Sequence, residues 1–136
     1  MKKTSSVELH KMAVSAREKA HSPYSGFKVG AALKLKSGQV YSGCNVENAS
    51  YGGTVCAERV AIWKAVSELG AIEIEEMVVV TDSEKAWPPC GMCRQVLAEF
   101  STPSTIIHTG DLKEIQQSYK FEHLQPEAFN SSFLKK

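Results

Sequence analysis

Met77-Val78-Val79-Val80 and Thr105-Ile106-Ile107-His108 bracket Pro88-Pro89-Cys90-Gly91-Met92-Cys93-Arg94-Gln95-Val96-Leu97 within residues 77–108. The first run is short, apolar and β-branched, as expected of a strand buried on both faces. Gly91 to Phe100 predicts a helix, and Thr105 to His108 predicts a second strand. A strand, a helix and a strand in this order form a parallel pair joined by a right-handed crossover. After His108 only a few residues, centred on Gly110-Asp111, precede a further β-prone run from Ile115 to Tyr119. A parallel return needs about a dozen residues of crossover, so this fifth strand runs antiparallel to its neighbour.

Upstream, Ser5-Ser6-Val7-Glu8 has the form of a capping box, and Leu9, Met12, Ala13, Ala16 and Ala20 follow at helical spacing, predicting a helix from Ser6 to Ala20. His21-Ser22-Pro23-Tyr24-Ser25-Gly26 breaks it. Val29 to Leu35 and Gln39 to Val46 form a hairpin about Ser37-Gly38, with Gly43 marking a bulge or a close approach of another backbone. A glycine-containing loop, Asn48 to Val55, leads to a helix over Cys56 to Leu69, whose Val60, Ala61, Ala65, Val66 and Leu69 share a face and which Gly70 ends. The tail, Phe121 to Lys136, holds apolar residues too scattered for a helix of their own; they pack on the sheet or on another subunit.

The 136 residues suit one domain spanning 1–136, and 43% hydrophobic with 23% charged residues are ordinary globular values. Sixteen Lys and Arg against fifteen Asp and Glu leave a net charge of +1. This disfavours a nucleic-acid partner, which calls for a basic footprint. No apolar run reaches the roughly 18 residues of a membrane span, and the polar stretch Met1 to Ser6 has no apolar segment after it to act as a secretory signal, so a cytoplasmic protein is expected. In that reducing setting Cys44, Cys56, Cys90 and Cys93 point to metal binding or catalysis rather than disulfides.

Cys90 and Cys93, i and i+3 at a helix start, face the same way in a dipole that favours thiolates. Alone they fit a thiol redox pair, half a zinc site or two incidental cysteines. Cys56, also at a helix start, is followed by Glu58, and 33 residues separate Cys56 from Cys90. This C-x-E and P-C-x-x-C combination resembles the ligand and acid–base pattern of the zinc deaminases. Three ligands leave a fourth position for water, the mark of catalytic zinc. Cys44 as a fourth ligand would close the site and make it structural, but its place in a strand beside Gly43 favours the core. Zinc with three thiolates carries a net charge of −1, and Arg59, three residues after Cys56, has the geometry to offset it. Because i and i+2 diverge on a regular helix, Cys56 must occupy the cap or first turn with non-helical geometry if Glu58 is to share its site.

Four ordered motifs resemble the small cytidine deaminases: Pro23-Tyr24-Ser25-Gly26-Phe27-Lys28-Val29-Gly30-Ala31-Ala32-Leu33; Gly43-Cys44-Asn45-Val46-Glu47-Asn48-Ala49-Ser50-Tyr51-Gly52; Cys56-Ala57-Glu58-Arg59; and Pro89-Cys90-Gly91-Met92-Cys93-Arg94-Gln95. The resemblance implies a three-layer α/β/α sandwich with a five-stranded mixed sheet whose last strand is antiparallel. It also implies one zinc per chain held by Cys56, Cys90 and Cys93, with Glu58 shuttling protons. Asn45 and Glu47, alternate residues at the end of a strand, would hydrogen-bond the ribose hydroxyls of a cytidine or deoxycytidine substrate. Phe27 and Ala57 would line the pyrimidine site, and Phe129 would reach a neighbouring subunit's site in a homotetramer. Gln125 and Gly53 depart from the family's usual residues and bear on the pocket rim. An amino-nucleoside drug deaminase would use the same zinc motifs, so the substrate rests on the ribose pair.

Overall fold

The computed structural model describes residues 4–135. The polar N-terminal reading therefore lies, from Met1 to Lys3, outside the described residues. The chain runs α1 (Ser6–Arg17), β1 (Val29–Leu35), β2 (Val40–Cys44), α2 (Ala57–Leu69), β3 (Ile74–Thr81), α3 (Gly91–Phe100), β4 (Ser101–Gly110), β5 (Ile115–Lys120) and α4 (Phe121–Leu124). The strands form one five-stranded sheet in the order β2-β1-β3-β4-β5. β3 and β4 pair in parallel across α3, as the strand-helix-strand order requires, and every other pairing is antiparallel, including β5 on β4.

Alternation along the strands sorts the side chains into two cores. Ala32 of β1 and Val78 and Val80 of β3 pack with Leu9 and Ala13 of α1. The opposite face presents Ala31, Leu33, Met77, Val79 and Ile107, against Ala57, Ala61, Ile62 and Ala65 of α2 and Leu97 of α3. Helices on both faces make the three-layer α/β/α arrangement that the resemblance implies.

Several boundaries differ from expectation for local reasons. The first helix ends at Arg17 rather than Ala20, because Glu18, Lys19 and Ala20 tighten to bonds with the carbonyls of Ser15, Ala16 and Arg17. β2 covers Val40–Cys44 rather than Gln39 to Val46. At Asn45 the main-chain N–H still donates to the Val29 carbonyl at 3.2 Å, but the carbonyl turns to accept from His21 N, and the side chain takes its place, Oδ1 accepting from Val29 N at 2.8 Å and Nδ2 donating to the Phe27 carbonyl at 2.8 Å. Cys56 lies outside its helix as the N-cap. β3 starts at Ile74, ahead of its apolar run, where Glu76 pairs in register with Lys34 and its carboxylate meets the Lys34 ammonium at 3.2 Å. β4 likewise begins early, at Ser101, and buried Thr105 donates to the Ile74 carbonyl at 2.7 Å. The tail does form one helical turn, α4, which buries Phe121 and Leu124 against the sheet, whereas Phe129, Phe133 and Leu134 stay exposed.

Gly43 is a point of close approach between the hairpin and α2. A Cβ there would lie 2.6 Å from Ala61 N and 2.8 Å from the Ala57 carbonyl oxygen, both helix backbone. A side chain must push α2 off the sheet, so Gly43→Ala should cost about 1–3 kcal/mol, read as a lower urea midpoint at unchanged slope. Gly52→Ala, with nothing within 4 Å of the added carbon, serves as the control and should leave the midpoint near that of the parent.

Candidate metal centre and active site

Two helix N-termini carry the cysteines. Cys56 caps α2 with φ −76° and ψ 155°, and Cys90 caps α3 with φ −67° and ψ 168°. Both are extended, and this turns each thiol away from its own helical staircase. The non-helical geometry required at Cys56 is therefore present, and Glu58 in the first turn of α2 lines the same cavity as the Cys56 thiol. Cys93, one turn into α3, completes a group whose three sulfurs all lie within 4.8 Å of one another. Cys44 is half-buried and outside this group.

The donor set fits zinc. Zn–S bonds of about 2.3 Å in a tetrahedron set sulfurs about 3.8 Å apart, and the Cys56 and Cys90 sulfurs stand 3.9 Å apart. The protons on these thiols point the same way. The Cys56 thiol is pulled down to about 5 by the hydrogen bond it accepts from Cys93 and by the Arg59 guanidinium. Cys93, the partner that keeps the proton, is pushed up by the same bond and by burial. Three sulfurs this close cannot all ionise without a cation among them, and a divalent metal at helix N-termini permits it.

Arg59 is the arginine placed beside the thiols. Its Nη2 donates to Cys56 Sγ at 3.5 Å, while its guanidinium lies 5.7 Å from the centre of the Trp63 ring. Arg94, the other arginine near the motif, turns away and donates to the carbonyls of Pro89 at 2.8 Å and Leu124 at 2.7 Å.

Glu58 is 4% exposed. Burial, reinforced by the negative charge on Cys56, raises its carboxyl to about 7. Glu47 is shifted in the other direction. Its carboxylate accepts from the Ser25 hydroxyl, from Ser25 N at 3.0 Å and from Tyr24 N at 2.9 Å, and the Ser25 hydroxyl does most to hold it below the ordinary carboxylate range. Thus one carboxyl at this site is suited to exchanging protons near neutrality and the other to accepting hydrogen bonds.

Phe27, Asn45, Glu47, Cys56, Ala57, Glu58 and Cys90 meet around one cavity of about 340 Å³, within the size range of small-molecule sites. Asn45 and Glu47 follow β2 in irregular extended chain rather than in the strand, yet both reach this cavity. Phe129 does not line it; its ring stacks on Phe133 at 5.6 Å. Sequence reasoning missed Ser25, Thr81 and Trp87. Thr81 is buried at the end of β3 with its hydroxyl lacking a partner, and Trp87 precedes Pro88 in the loop before Cys90. A large aromatic abutting a ligand motif outside any helix or strand was the signal available for Trp87.

A family model described as the cytidine and deoxycytidylate deaminase zinc-binding region matches residues 3–109. The cytidine deaminase of Halalkalibacterium halodurans is 48% identical over 123 residues, 90% of this chain and 92% of that protein. The cytidine deaminase of Sporosarcina psychrophila is 45% identical over 119 residues, 88% of this chain and 87% of that protein. The crystal structure of cytidine deaminase from Burkholderia pseudomallei superimposes with a TM-score of 0.84 at 40% identity, covering 92% of this chain and 99% of that one.

The Glu58 shift predicts a pH dependence of stability in metal-free protein. A carboxyl raised from 4.5 unfolded to about 7 folded binds more protons in the native state, so its contribution is fully present below about 4.5 and is lost as pH rises through about 7. Glu58→Gln removes this loss. The variant and parent should be equally stable near pH 4.5, and the variant should gain up to about 3 kcal/mol over the parent by pH 8. Denaturant titrations of chelator-treated protein across this range check the sign; a difference that does not grow with pH contradicts the buried, raised carboxyl.

Proposed function

Since the chain belongs to the cytidine and deoxycytidylate deaminase family, we propose that it hydrolyses cytidine and 2′-deoxycytidine to uridine and 2′-deoxyuridine, releasing ammonia. The observation that carries this reading is the meeting of a buried, protonatable carboxyl, Glu58, with the thiols of Cys56 and Cys90 in a cavity whose wall also holds Asn45 and Glu47. The proposed setting is a cytoplasmic one, in pyrimidine salvage, by a single domain that assembles as a homotetramer. In such an assembly the exposed Phe129, on the tail that Gln95 tethers through the Phe129 carbonyl at 2.9 Å, would complete a neighbour's site. Among the described residues no helix is long and apolar enough to cross a membrane.

Cys56, Cys90 and Cys93 would hold the zinc, which when bound would supply Lewis-acid activation of a water molecule. The Glu58 carboxylate takes a proton from the attacking water and delivers it to ring N3, while the water oxygen bonds to C4. The same carboxyl then moves the remaining hydroxyl proton to the amino nitrogen, so that the C4–N bond breaks, ammonia leaves and a C4 carbonyl remains. A carboxyl that can both take up and release a proton suits both directions of transfer. Arg59 offsets the thiolate charge behind this chemistry.

At the ribose end, Asn45 is fixed by its two backbone bonds and retains one N–H and one lone pair for a hydroxyl. Glu47, held ionised by Ser25 and Tyr24, keeps lone pairs to accept from ribose O–H groups. The net charge of +1 suits a neutral nucleoside over a nucleotide.

Glu58→Gln should retain its zinc by elemental analysis and lose about 10²- to 10⁴-fold in kcat on cytidine. Glu47→Gln, which keeps an acceptor but removes its charge, should raise KM for cytidine by about tenfold at normal zinc content. Unchanged turnover in the first variant would take Glu58 out of the reaction; an unchanged KM in the second would take Glu47 off the ribose.

A further inference from the structure

Two large rings at the cavity belong to neither core. Phe27 is 58% exposed and Trp87 37% exposed, and both line the cavity. They contact each other edge to face, centroids 5.1 Å apart and planes at 63°, and so form an aromatic corner. This is the spacing at which aromatic rings attract, and each ring keeps open surface on which a third planar ring can pack.

The loop between β3 and α3 holds Trp87 stiffly. Trp87 and Pro88 each precede a proline, which restricts both to extended backbone. Pro89 is fully buried, and Arg94 of α3 anchors its carbonyl at 2.8 Å. The next residue is Cys90, whose thiol belongs to the metal cluster. The backbone that carries the indole is therefore held near the thiols by three residues of constrained chain, Pro88, Pro89 and Cys90, and the ring itself rests against Phe27. A wall fixed in advance adds affinity without an ordering cost on binding.

We propose that Trp87 is a base-holding residue, the second aromatic wall that packs with Phe27 around the pyrimidine ring and sets affinity for the nucleoside. The proposal rests on the deaminase reading for its substrate class, while the corner itself is a feature of this chain's loop. Because the contact is made to the ring before and during reaction alike, it acts on binding and leaves the chemical step alone.

The test uses zinc-loaded full-length protein. Trp63 is the only other tryptophan; it sits on α2 in a separate groove with Tyr41 and Lys64, so Trp63→Phe makes Trp87 the sole indole reporter. Titration of this variant with uridine, the non-reacting product, should change Trp87 emission saturably. In the parent background, Trp87→Ala should raise KM for cytidine by about 5- to 150-fold, the range of one aromatic–base stack, with kcat within about threefold and zinc content unchanged. Trp87→Phe should recover most of the loss. A flat emission titration, or Trp87→Ala protein with the parent's KM, overturns the proposal. The emission titration reads the native tryptophan and so decides even if Trp87→Ala fails to fold. Failure of the deaminase reading looks different: Trp87 emission then responds to uridine, yet the parent protein does not convert cytidine.

Discussion

Three cysteine sulfurs within 4.8 Å of one another cannot all carry charge unless a cation lies among them, and much of the architecture serves to bring them that close. Cys56 and Cys90 come from different helices, and each is an extended N-cap rather than a helical residue. This gives the thiols freedom of direction that a staircase of i, i+3 and i+4 positions lacks, and it sets them in the positive end of a helix dipole. The parallel β3–β4 pair fixes α3 through its crossover, and α2 reaches the same point because Gly43 and the hairpin let its backbone settle close to the sheet.

The acid–base character of the site follows from the same placement. Glu58 enters the cavity from the first turn of α2, where the fold denies it water and the neighbouring thiolate opposes its ionisation, and both effects raise its carboxyl to about 7. Glu47, of the same residue type and lining the same cavity, meets two backbone N–H groups and a hydroxyl and is held ionised. Environment thus shifts two carboxyls of one cavity in opposite directions, one raised by burial and the other lowered by hydrogen bonds. Arg59 limits the accumulated negative charge by donating to the Cys56 sulfur.

Much of this was legible in the sequence because the informative signals are local or strictly spaced. The run Val29–Leu35 and the helix Gly91–Phe100 form where apolar pattern and helix punctuation coincide, and the antiparallel turn of β5 follows from too short a connection. The C-x-E and P-C-x-x-C motifs announced the sulfurs and Glu58, since ligand spacing is a one-dimensional property. Strand ends were less legible. β3 extends through Glu75 and Glu76 because Lys34 pairs with them from the next strand, a long-range partner that no local pattern contains. β2 stops early because the Asn45 carbonyl turns to His21 and the Asn45 side chain accepts from Val29 N in its place. Trp87 escaped notice for a related reason: it belongs to a loop, and only the folded neighbour Phe27 gives its ring a purpose.

The central claim is that this constellation deaminates a free pyrimidine nucleoside by hydrolysis. It is tested most directly by following ultraviolet absorbance and ammonia release from zinc-loaded protein given cytidine, deoxycytidine, CMP or adenosine in parallel. The account predicts stoichiometric conversion of cytidine and deoxycytidine to their uracil counterparts, with CMP and adenosine far poorer substrates. Fully folded, zinc-loaded protein that leaves cytidine and deoxycytidine unchanged, or that prefers CMP, would contradict it.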